Sequence, residues 1–225
     1  MSLTPLLLVL SFFASLKAQQ QPYAGPFTGQ AGNEPCELED GDQVVLPRGG
    51  CDALRRAQSV LERLRGPARM GPGDLRLDVR VWDKLPTAAF QLDAISVTWP
   101  LLRDFGSDEG VLTVLLSHEA GHALQSRHGV WPDFAAKGFT ARQMEAQADL
   151  EGVALAAKAG FAGQAWLSAL ERFLEHPAAA AAARQGGDSH PSIDIRRANI
   201  VYFLSQGARE APGPRAFEAD GRLSR

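Results

Sequence analysis

Apolar residues recur along this chain with two periods, and each period predicts a different kind of element. Leu54, Ala57, Val60, Leu61 and Leu64 share one face of a helix predicted over residues 52–65, with Asp52 as N-cap and Gly66-Pro67 as its stop. From Leu75 the period shortens to two. Leu75, Leu77, Val79 and Val81 alternate with polar residues and predict a half-buried strand over 75–82. Residues 94–99 (AISVTW) form a second β-favouring run, closed by Pro100. At Asp108 the helical period returns through Val111, Leu112, Leu115, Leu116, Ala120, Ala123 and Leu124, and this helix runs to about Gly129. Further helices are predicted over about 140–158, 164–175 and 192–204, the first of them with Thr140 as N-cap and Gly160 as C′ residue. The alanine tract 178–183 reads as either helix or loop. Residues 19–50 are rich in Gln, Gly and Pro and read as an extended lead-in, while Gly, Pro and charge predict a flexible tail over 208–225. The pattern is that of an α+β protein in which a small sheet packs on helices. Its main domain would span 67–207, after an N-terminal extension of residues 19–66.

The first residues read differently. Residues 6–13 (LLLVLSFF) match the length of a secretory apolar core and are too short for a spanning helix, which needs roughly 20 apolar residues. Residues 1–18 are therefore expected to be a signal peptide cleaved after Ala18; left uncleaved, the same segment would act as an anchor. Export to a periplasmic or secreted location changes the reading of Cys36 and Cys51, which are separated by fourteen residues of a Gly/Pro-rich stretch. In an oxidising compartment the two should form a disulfide.

Composition adds exclusions. The 225 residues are 45% hydrophobic and 22% charged, which argues against wholesale disorder. A net charge of −3, with no clustered basic excess, gives no pull toward nucleic acid. Two cysteines cannot build a Cys-rich zinc site.

The chemistry enters through histidine. His118-Glu119-Ala120-Gly121-His122 lies on the central predicted helix, where positions i and i+4 share a face, so both imidazoles can address one ion. Glu119 can then serve as general base toward a water at that ion. Burying these groups on so apolar a helix without a partner would be costly. The following helix offers Glu145 and Asp149, again four residues apart. Glu145 is the expected third zinc ligand, and Asp149 the expected acceptor for the N–H of a ligand histidine. One zinc per chain follows.

H-E-x-G-H followed by E-x-x-A-D resembles the HtpX/CAAX-prenyl-protease type of gluzincin zinc endopeptidase, metallopeptidase family forty-eight, in a soluble exported form. Thr87-Ala88-Ala89-Phe90 resembles that family's N-A-F element, Ile95-Ser96-Val97-Thr98 its edge strand, Leu101-Leu102 the apolar pair that follows, and Ser189-His190-Pro191 with Arg196 its S/T-H-P…R segment. The resemblance covers roughly residues 75–205. It implies a zincin-like fold, and an endopeptidase acting on unfolded or misassembled envelope proteins, with peripheral association to envelope complexes. It also implies that Ser96, Val97 and Thr98 pair with an extended substrate, and that His190 and Arg196 stand at the active-site rim. There Arg196 or His190 would stabilise the oxyanion, or His190 would act as an inhibitory latch. Trp99 and Trp131 are candidates to line the cleft. The E-x-Q-A-D segment also resembles the neutral zinc metallopeptidases, although Leu150 stands where that family has Cys. Other classes stay open: a chaperone-like or binding protein that keeps the fold but rarely cleaves, and a structural helical domain in which the histidines are incidental.

Overall fold

The computed structural model describes residues 32–71, 73–91, 93–185, 189–207 and 210–224; the expected signal peptide lies outside them. Strands β1 (Asn33–Glu37) and β2 (Gln43–Pro47) form an antiparallel hairpin ahead of α1 (Gly50–Ala68). The second sheet contains β3 (Arg76–Arg80), β4 (Ala88–Gln91) and β5 (Ala94–Thr98), followed by α2 (Trp99–Phe105) and α3 (Glu109–Arg127). Then come α4 (Ala141–Lys158), α5 (Gly163–Glu175), α6 (Pro177–Gln185) and α7 (Ile193–Ser205). The architecture is α+β, as the periodicity predicts. Among the described residues, no helix is long and apolar enough to cross a membrane.

The Cys36–Cys51 disulfide is formed and ties β1 to the first turn of α1. It also corrects the expected cap. Asp52 pairs with Arg55 instead, and the helix N-terminus is satisfied from β1, where Glu34 Oε1 accepts from Gly49 N and Cys51 N. Helix α1 continues through Gly66-Pro67 and ends where Arg69 adopts a left-handed conformation (φ 55°). Arg65, 4% exposed, joins three segments: its guanidinium donates to Leu75 O at the entry to β3, to Glu62, and to Glu39 in the β1–β2 turn. Leu54, Leu61 and Leu64 sit in the same core as Leu112 and Leu116 of α3, so the extension and the helix that carries the histidine motif share one interior.

In the second sheet the spatial order is β3-β5-β4, with β3 parallel and β4 antiparallel to β5. This overturns the expectation of an edge strand at Ser96–Thr98. Strand β5 is central, all five of its residues are buried, and partners occupy both of its sides. The edges belong to β3 and β4. Strand β4 escapes the periodicity argument because its four residues include two alanines and only one strong β-former, Phe90.

Helices α3 and α4 cross at very short range because glycine stands at the contact on both. A Cβ on Gly121 would lie 2.8 Å from Ala148 O, and one on Gly152 would lie 3.0 Å from His118 N. The expected flexible tail is also corrected. Residues 210–224 fold back, Phe217 bridges Leu223, and both are buried. Asn199 of α7 holds the turn, donating to Gly221 O and accepting from Leu223 N, while Gln143 of α4 donates to Phe217 O.

Candidate metal centre

Helix α3 is buried along nearly its whole length, with His118, Glu119 and His122 at 6%, 8% and 5% exposure. Asp108 caps its start, accepting from Val111 N. Helix α4 starts from a capping box between Thr140 and Gln143, two residues before Glu145. The glycine-mediated crossing then sets Glu145 and Asp149 against the two histidines.

Three imidazoles converge on one carboxylate oxygen. Glu145 Oε2 lies 3.1 Å from His118 Nε2, 3.4 Å from His122 Nε2 and 3.0 Å from His190 Nε2. The donor atoms of His118, Glu145 and His190 all lie within 4.8 Å of one another, close enough to share an ion. Nitrogen and carboxylate oxygen donors in this arrangement suit a divalent transition metal. His190, placed at the rim by sequence reasoning, therefore belongs to the donor cluster itself. Its ring stacks on that of His118 at 6.0 Å, and its side chain keeps 43% exposure.

Outer contacts fix both motif histidines. His118 Nδ1 lies 3.0 Å from Asp149 Oδ1, the relationship expected from the sequence. His122 Nδ1 lies 2.9 Å from Gln125 Oε1, and Gln125 in turn donates to Met144 O and Gln147 Oε1. Sequence reasoning missed Gln125, although it stands three residues after His122, on the same helical face. The ring of Trp131 leans on His122 at 4.9 Å and stacks on Phe134 at 5.2 Å.

Arg196 takes a different place from the one expected. It is buried and doubly bonded to Asp149, Nε to Oδ2 at 2.7 Å and Nη2 to Oδ1 at 2.6 Å. So engaged, its guanidinium supports Asp149 rather than standing free to stabilise an oxyanion. Ser96, Val97 and Thr98 are likewise interior. Thr98 Oγ1 donates to Leu85 O and accepts from Thr87 N, which ties the end of β5 to the segment leading into β4. Glu119 does meet the sheet, but at β4: its Oε2 accepts from Phe90 N at 2.6 Å.

The charges follow from these contacts. Burial alone would depress His118, but its bonds to Asp149 and Glu145, and their charges, outweigh burial and push it up to about 10. Burial would raise Asp149; the Arg196 charge and the His118 bond override it and hold Asp149 at about 2. Burial would raise Glu145 as well, yet bonds from the three histidines keep it well below the usual carboxylate range. The result is a carboxylate that stays charged beside two imidazoles, His118 and His122, that hold protons more tightly than usual, a site where a cation can replace protons.

No family model matches the chain, and neither a curated protein nor a solved structure matches it.

Proposed function

We propose that the chain is a zinc-dependent endopeptidase of the gluzincin kind, hydrolysing peptide bonds in unfolded or misassembled proteins of an exported compartment. The observation that carries this reading is the convergence of His118, His122 and Glu145 beside Glu119 on one buried helix crossing. His118, His122 and Glu145 would hold the ion, oriented by Asp149 and Gln125. A bound zinc would supply Lewis acidity, polarising a carbonyl and making water acidic enough to lose a proton near neutral pH. Glu119 would take a proton from the attacking water as its oxygen adds to the scissile carbonyl carbon, and would pass it to the amine nitrogen as the C–N bond breaks.

The substrate would align along β4 in place of Ser96–Thr98. Among the described residues strand β4 pairs with β5 on one side only, and Phe90 N–H on its other side faces Glu119. A substrate carbonyl that took this N–H would add a strand to the sheet and release the Glu119 carboxylate for proton transfer.

One observation favours a second reading of the same cluster. His190 Nε2, 3.0 Å from Glu145, occupies a fourth donor position, which suits a latch or a protein that holds metal and binds chains while cleaving little. Metal analysis and casein digestion separate the two. Wild type should carry about one zinc and cleave, Glu119→Gln should keep zinc and lose cleavage, and His122→Ala or Glu145→Ala should lose zinc. Cleavage by Glu119→Gln at the wild-type rate would remove the assigned base.

A further inference from the structure

A cavity of about 690 Å³ lies among the start of β4, the first half of α3, and helices α5, α6 and α7, and it opens onto His118 and Glu119. This size is typical of cavities that enclose a ligand group. Leu115, Leu170, Phe173 and Ile193 form apolar walls, and Ala179 and Ala180 of α6 face the same space. Bordering charges are largely taken up in pairs: Arg197 lies 2.7 Å from Glu171, and Arg196 is held by Asp149. Glu175 stands exposed at the border. A charged side chain taken between the apolar walls would lose hydration that those walls do not replace.

We propose that this cavity receives one large apolar side chain of the substrate, beside the scissile bond, and makes cleavage selective for Phe, Leu, Ile or Met at that position. The proposal rests on the endopeptidase reading above. A chain added to β4 would pass Glu119 with its side chains pointing alternately to either face. Those directed between α3 and α6 meet the cavity. The two small residues of α6 set its capacity, since any larger side chain at position 180 would take up the room a substrate group needs.

The test maps casein cleavage sites by mass spectrometry, then uses two matched peptides with Phe or Ala beside the scissile bond. Zinc-loaded wild type should favour the Phe peptide by roughly 10- to 100-fold in kcat/KM. Ala180→Phe should erase or reverse that ratio, and Ala180→Val should give an intermediate one. Binding of the same peptides to Glu119→Gln protein, followed by fluorescence anisotropy, should show the Phe preference without turnover. Equal cleavage and equal binding of both peptides would overturn the proposal and leave the endopeptidase reading intact. Absence of cleavage together with preferential Phe binding would overturn the endopeptidase reading and support the cavity. A preference unchanged in both position-180 variants would overturn the assignment of the cavity.

Discussion

Arg196 grips both carboxylate oxygens of Asp149, and Asp149 reaches His118 through one of the same oxygens. A guanidinium on α7 thereby orients a histidine on α3 by way of α4. Removing one member of so buried a pair leaves an uncompensated charge, which costs roughly 3–5 kcal/mol. Arg196→Met should lower stability by that order in chemical denaturation and weaken zinc retention, with Arg196→Lys partly restoring both. A 100-fold loss of turnover with zinc and fold intact would instead return Arg196 to the oxyanion.

Chelated protein should show a distinct pH profile. His118 binds its proton more tightly folded than unfolded, so its contribution is complete below about 6.5 and is lost as pH rises toward about 10. Asp149 has the opposite sign: its contribution is complete above about 4 and is lost as pH falls through about 2. The Tm of chelated protein should therefore peak between roughly pH 4 and 6.5 and fall steadily above pH 7. Zinc uptake at neutral pH should release protons, because ligation needs the neutral imidazole. Calorimetry in buffers of different ionisation enthalpy measures that release.

The α3–α4 crossing should tolerate no methyl group. Gly121→Ala drives a Cβ into Ala148 and Gly152→Ala drives one into the backbone at His118. Overpacking of this kind costs roughly 1–3 kcal/mol. The separation it forces should weaken zinc affinity more than a glycine substitution at exposed Gly129, measured by competition with a chromogenic chelator.

Cys36 and Cys51 should resist alkylation until reductant is added. Replacing both with serine should cost about 3 kcal/mol, since the loop they close is 15 residues long. Free thiols in protein recovered from an oxidising compartment would count against the bridge.

His190→Ala removes one of the donors around Glu145 Oε2. Zinc should be held less tightly, though by a smaller factor than in His118→Ala, and turnover should rise as a position opens. Reduced turnover with unchanged retention would make His190 a stabiliser.

The residues that carry the chemistry were legible because helical spacing alone sets i and i+4 side by side: His118 with His122, and Glu145 with Asp149. What the spacing could not give was the partner of each group across space. Arg196 was legible as a site residue, yet its engagement with Asp149 depends on how α7 packs against α4. An edge position for β5 was implied by the family resemblance alone, and β4, which lies beside it, is too short and too alanine-rich to show in the apolar pattern. The C-terminal hairpin was hidden because its anchors, Phe217 and Leu223, are isolated among Gly, Pro and charged residues and show no period. Helix α2 was obscured by Pro100, which ends a strand and also opens a helix.

The buried guanidinium of Arg65 has a consequence for dissecting the chain. A motif-guided fragment would begin after Pro67, where the turn residues suggest a border. Such a fragment would remove the guanidinium that meets Leu75 O and strip Leu54, Leu61 and Leu64 away from the α3 side of the core. Helix α3 would then present a bare hydrophobic flank to water. A fragment that begins upstream of Cys36 keeps these contacts, whereas one that begins at residue 67 exposes apolar surface and is expected to aggregate.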